Sequence, residues 1–212
     1  ENTGICIGDY QVNRTANSGS NWNIQMLGNY GWFEGNTYLI KSFAFPSGNT
    51  YVINHTHLPT YFPEEDIIRS TDGGATWSNC FSSLGYFGGI DEKEGVTYIT
   101  HTSSILKSTG GNFSNLYSVT GSMVGDVSFF NALTGCVISN NNSGNNGLLK
   151  TTNGGINWVF IPNQGNKYLY NIELLPSGYG YAAADDSGYF IKTTNFGANW
   201  QSFNTGINNY TY

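Results

Sequence analysis

The residues best equipped for chemistry in this chain are few and scattered. His55 and His57 stand two apart, a spacing that turns both imidazoles to one side of a strand. Glu64, Glu65 and Asp66 follow closely, and His101 comes later. Nitrogen and oxygen donors of this kind suit a divalent transition metal. An exposed polar insertion accounts for the same residues, and we take that reading, keeping His55 and His57 as weak metal candidates and expecting no cofactor. Asp9, Asp126, Glu173, Asp185 and Asp186 lie near strand-like runs. Two facing carboxylates suffice for glycoside hydrolysis, but no spacing among these five selects a pair. No phosphate-cradling glycine loop with its lysine and no Ser/His/Asp set is present. The expectation is therefore that no residue is catalytic and that the chain is not an enzyme. Aromatic side chains flanked by Asn and Asp groups form platforms for sugars; Tyr30, Trp32 and Phe33, with Tyr61 and Phe62 in the 55–66 insertion, are the candidate ligand-binding residues.

Charge narrows the classes further. Eight basic residues face 14 acidic ones in 212 residues, a formal net charge of -6, so the chain has no electrostatic footprint for nucleic acid or for an anionic membrane surface. Its 16% aromatic content argues against disorder. No run approaches the roughly 18 apolar residues of a membrane-spanning helix. Cys6, Cys80 and Cys136 have no metal-type spacing. Cys6 and Cys136 fall in apolar runs and read as buried small hydrophobes. The chain opens at Glu1 without a signal-peptide pattern, and we read it as a processed or excised chain. Scarce Lys and Glu beside abundant Asn, Thr, Ser and Tyr fit an exported protein, extracellular or at the cell surface.

What must position any site is a repeat. The pattern [ST]-x-[DN]-x-G-x-x-W occurs as Ser70-Thr71-Asp72-Gly73-Gly74-Ala75-Thr76-Trp77. It returns at 15–22 (Thr15, Asn17, Gly19, Trp22), at 151–158 (Thr151, Asn153, Gly155, Trp158) and at 193–200 (Thr193, Asn195, Gly197, Trp200). A decayed copy occupies 108–113, and a basic residue precedes each copy: Arg14, Arg69, Lys107, Lys150 and Lys192. Gly permits the positive φ of a tight turn, the Asp or Asn oxygen can accept backbone N–H groups, and Trp pins the turn by burying its ring.

Copies begin at residues 15, 70, 108, 151 and 193, spaced 55, 38, 43 and 42 residues apart. Each follows a short apolar run such as Ile67-Ile68 or Leu148-Leu149, and further runs lie upstream, among them Tyr51-Val52-Ile53 and Cys136-Val137-Ile138. Four strands per unit of about 40 residues, without helical periodicity, make a propeller blade. The reading is all-β: a single β-propeller domain over 1–212 with five four-stranded blades. Ring closure would use the N-terminal strand (4–7) and a C-terminal one (208–212), because 34 residues remain for the last interval; the alternative is an open five-repeat piece of a longer propeller.

At these residues the chain resembles Asp-box (BNR) repeat propellers: sialidases, sortilin-like receptors, Ycf48-like propellers and secreted repeat proteins of bacteria. The resemblance implies that Asp72, Asn153 and Asn195 are structural turn residues on the outer edge. Sialidases of that group clamp a substrate carboxylate with three arginines. This chain has only Arg14 and Arg69, so sialidase activity is rejected. The remaining expectation is a protein-interaction or structural module whose partner is another surface or secreted protein or itself, without nucleic acid or membrane insertion. The alternative is a lectin-like carbohydrate-binding propeller.

Overall fold

The computed structural model describes residues 2–8, 10–27, 37–56, 63–141, 143–184 and 188–206, the side chains of 37, 38 and 40 excepted. The described residues form 19 strands and no helix. They divide into two compact units, Glu1–Tyr86 and Phe87–Tyr212.

The first unit holds two antiparallel sheets. One consists of β1 (Gly4–Ile7), β2 (Gln11–Thr15) and β3 (Asn23–Met26) in chain order. The other consists of β4 (Thr37–Ala44), β5 (Thr50–Thr56), β6 (Glu64–Ser70) and β7 (Ser78–Leu84). The strand expected to complete the first sheet, 208–212, lies outside the described residues.

The second unit holds three sheets of the same plan. They are β8 (Phe87–Lys93), β9 (Val96–His101), β10 (Ser104–Ser108) and β11 (Ser114–Ser118); β12 (Met123–Phe129), β13 (Gly135–Asn140), β14 (Gly147–Thr151) and β15 (Val159–Pro162); and β16 (Leu169–Leu174), β17 (Gly180–Ala184), β18 (Tyr189–Thr193) and β19 (Gln201–Asn204). Within each sheet, strands consecutive in the chain pair with each other, the order that joins an antiparallel sheet most directly.

Burial falls from the inner strands outward. All six residues of β13 are buried, whereas all four of β19 are exposed. Inner strands are covered on both faces and so read as continuous apolar runs rather than alternating ones. In β13, Cys136 and Ile138 pack with Leu169, Ile172, Leu174, Ala182 and Ile191 of the following sheet. Val137, between them, packs with Tyr98 and Ile105 of the preceding sheet. Tyr98 stacks on Phe129 with ring centroids 3.8 Å apart. Each such buried aliphatic or aromatic side chain contributes about 1.5–3 kcal/mol. In the first unit Val12, Leu39 and Val52 form the equivalent core, flanked by Ile5, Ile7, Leu27 and Trp77.

The first strand of every four-stranded sheet carries a register shift, between Leu39 and Lys41, Phe87 and Gly89, Val124 and Val127, and Leu169 and Asn171. A bulge there turns side chains toward the next sheet. Asp126, within the shift of β12, and Asp91, beyond that of β8, both reach the next sheet. The Asp91 carboxylate accepts the Phe129 N–H at 2.7 Å, and Asp126 accepts the Ile172 N–H at 3.1 Å. A Cβ on Gly89 would collide with Asp126, so glycine lets β8 and β12 approach.

One expectation fails here. Cys6 is exposed, not buried; only Cys136 of the two is fully buried. Alternation along β1 sends Ile5 and Ile7 to the Val12 core and Cys6 to the opposite face, so an apolar run signals a strand without saying which side is covered. Burial pushes the Cys136 thiol up to about 12 and that of Cys80 up to about 11, leaving both poor nucleophiles at neutral pH.

Candidate functional site

The turn repeat is built alike in all four full copies. In the second, the Ser70 hydroxyl donates to Asp72 Oδ1 at 2.8 Å and accepts the Gly74 N–H at 2.7 Å. Asp72 Oδ1 also accepts the N–H groups of Ala75 and Thr76, each at 2.9 Å, and Oδ2 accepts the Thr76 hydroxyl at 2.6 Å. Asn17, Asn153 and Asn195 accept the corresponding N–H of Asn21, Asn157 and Asn199 at 2.9, 3.0 and 3.0 Å. The hydroxyls of Thr15, Thr151 and Thr193 accept the N–H of Gly19, Gly155 and Gly197 at 2.9, 2.9 and 3.0 Å. In the decayed copy Ser108 Oγ accepts only the N–H groups of Gly110 and Gly111. The Thr76 hydroxyl, followed by the backbone N–H groups and Ser70, holds the Asp72 carboxyl well below the ordinary carboxylate value. Four donors of its own turn thus converge on the Asp72 carboxylate.

The basic residues before the turns have positions the spacing alone does not show. Arg14 Nε donates to the Gly73 carbonyl at 2.6 Å, and Lys107 Nζ to the Gly154 carbonyl at 3.0 Å. Each therefore caps the turn of the following four-strand unit. Arg69 instead donates to Asn49 Oδ1, at 2.9 Å from Nη2.

The aromatic candidates Tyr30, Trp32, Phe33, Tyr61 and Phe62 all lie outside the described residues, as do His57, Asp9, Asp185 and Asp186. His55 faces Glu65 across β5 and β6, with Nδ1 3.2 Å from Oε1. Among the described residues no group of three His, Cys, Asp or Glu side chains could hold a metal. Of the carboxylates weighed for hydrolysis, Asp126 ties two strands together and Glu173 stands exposed on β16.

A different cluster emerges on the sheet β16–β19. Tyr181, Phe190 and Phe203 run across β17, β18 and β19 on one face. Phe190 and Phe203 stack at 5.2 Å, and Tyr181 lies 6.5 Å from Phe190. Lys192 Nζ sits 5.6 Å from the rings of both Tyr179 and Tyr181. Tyr181 and Phe203 are each 40% exposed. The sheet β12–β15 has counterparts: Cys136 pairs with Lys150 as Tyr181 pairs with Lys192, and Leu148 pairs with Ile161 as Phe190 pairs with Phe203. That face is covered by the next sheet. In β16–β19 the same positions carry larger aromatic rings, and Tyr181 and Phe203 are exposed. Aligning the repeats through their Trp residues reveals this enlargement; reading strands one at a time hides it.

No protein-family model and no curated protein matches the sequence. Solved structures are similar in shape. Ycf48 from Cyanidioschyzon merolae is 13% identical with a TM-score of 0.53, covering 95% of this chain and 81% of that one. A structure of Ycf48 bound to D1 peptide is 14% identical with a TM-score of 0.59 over 95% of this chain, which spans 63% of its length. A catalytically inactive virginiamycin B lyase from Staphylococcus aureus, solved with quinupristin, is 13% identical with a TM-score of 0.62, covering 96% and 70%. Enzymes are thus among these neighbours: the lyase, solved as an inactive variant, a GH74 enzyme from Niastella koreensis and a luciferin-regenerating enzyme. The expectation that this chain is not an enzyme is corrected accordingly. A missing arginine triad excludes one chemistry, while the scaffold carries others through groups grafted onto its loops. At these identities the likeness shows the fold, and the chain is an all-β propeller of four-stranded antiparallel blades.

Proposed function

We propose that this chain is a propeller that binds another protein, and that its turn repeats are Asp-boxes serving as scaffold. The observation that carries the reading is the row Tyr181, Phe190 and Phe203, exposed at Tyr181 and Phe203, with Lys192 beside it. Large, rigid aromatic rings supply most of the energy at protein interfaces for little conformational entropy. The similar Ycf48 structure bound to D1 peptide supports a protein partner for a propeller of this kind. Export to the cell surface or beyond fits the Asn-, Ser- and Thr-rich, weakly charged composition. Reading residues 1–212 as one propeller domain is a separate proposal and rests on the recurrence of the turn motif along the chain.

Selection from a phage-displayed peptide library on the immobilised chain tests it. Enrichment of binders that is lost in Tyr181→Ser and Phe203→Ser supports the reading. No enrichment above a bare surface, together with glycan-array binding that the same variants abolish, overturns it in favour of a carbohydrate partner. The unfolding midpoint of each variant is measured alongside, so that loss of binding is read only from folded protein.

A further inference from the structure

The first unit contains a small polar bridge with an instructive counterpart. Gln25 lies three residues after Trp22, on the outermost strand β3. Its Oε1 accepts the Trp77 indole N–H at 2.9 Å, while its Nε2 donates to the Ala75 carbonyl at 2.9 Å. One primary carboxamide thus satisfies the Trp of the following turn and a backbone carbonyl of that turn together.

In the second unit the equivalent position, three residues after Trp158, is Ile161 on β15, and the following turn presents Ala198 and Trp200. Isoleucine offers neither an acceptor nor a donor. Trp200 Nε1 is buried and has no hydrogen-bond partner among the described residues. Ile161, Ala198, Asn199 and Trp200 line a cleft of about 160 Å³, with Gln164 and Ser202 at its side. The cleft thus lies beside Ile161, which holds the repeat position of Gln25. At the preceding turn the corresponding residue is Leu116, which presses against Gly155; the Trp158 indole N–H there is likewise buried without a partner, but the Leu116 side chain fills the space beside it, so what sets Trp200 apart is the open cleft. A buried N–H left without an acceptor costs about 1–3 kcal/mol, and native structures rarely keep one idle.

We infer that the cleft beside Trp200 binds a primary carboxamide, as carried by a Gln or Asn side chain of a protein partner. The carbonyl oxygen would take the Trp200 indole N–H and the amide nitrogen would donate to the Ala198 carbonyl, reproducing the Gln25 bridge. A primary amide offers a carbonyl oxygen and an N–H on one edge. A trans secondary amide, such as a peptide bond or an N-acetyl group, holds them on opposite sides and cannot make both bonds there. That the amide comes from a protein rests on the function proposed above; the amide chemistry of the cleft does not.

The test is a titration of the ¹⁵N-labelled full chain with propionamide, following the indole N–H resonances, with that of Trp200 assigned through Trp200→Phe. The expected result is a saturable shift of the Trp200 indole signal, at least several-fold weaker with N-methylpropionamide and absent with propionate. Ile161→Gln, which places an internal carboxamide in the cleft, abolishes the response and leaves the Trp77 signal unmoved. A Trp200 resonance that does not move with propionamide, moves equally with N-methylpropionamide, or still responds in Ile161→Gln overturns the assignment. An empty peptide selection on the aromatic face leaves this titration standing, so the two readings fail separately.

Discussion

Gly155 shows how little freedom the turns leave at the scale of one residue. Its φ is 88°, a backbone conformation that costs an L-residue about 1–2 kcal/mol, and a Cβ there would run into Leu116. Gly155→Ala is therefore expected to destabilise the chain by at least that amount, read as a lowered urea midpoint. Asp72 gives a pH signature. Its folded carboxyl is held far below the ordinary 3.8, so its contribution is complete above 3.8 and is lost progressively as the pH falls below it toward the folded value. Asp72→Asn supplies the side chain that Asn153 and Asn195 already use. Unfolding midpoints measured down through that range should fall less steeply for the variant; parallel curves would show that Asp72 makes no such contribution.

At the scale of elements, Gln25 links an outer strand to the next turn. Gln25→Leu copies the arrangement at Leu116 and leaves the Trp77 N–H without an acceptor, at an expected cost of about 1–3 kcal/mol. An unchanged midpoint would mean that the bridge contributes nothing. Much at this scale was legible in the residues. The motif from Ser70 to Trp77 foretells a hairpin because its Gly, Asp and Trp each have a local job, and β6 and β7 flank it as expected. Whatever depends on a neighbouring sheet was not legible. The bulges opening β8 and β12 answer to the close approach of those strands. Cys6 sits in an apolar run yet faces out, because a strand's pattern does not name its covered face. The capping of Gly154 by Lys107 joins residues 47 apart in sequence and exists only once the sheets stack.

For the whole molecule, low charge first served to exclude nucleic acid, and the structure assigns much of the cationic remainder: Arg14 and Lys107 cap turns, and Lys192 lies over Tyr179 and Tyr181. The aromatic candidates Tyr30, Trp32, Phe33, Tyr61 and Phe62, picked for their local clustering, lie outside the described residues. The row that stands out instead joins three strands, and it shows only when equivalent positions of successive sheets are compared. That row is the central claim, and affinity decides it. With a peptide selected on the wild-type chain, isothermal titration should show binding weakened at least about tenfold in both Tyr181→Ser and Phe203→Ser, the loss of about 1.4 kcal/mol that marks an interface anchor. Unchanged affinity in both folded variants would contradict the account.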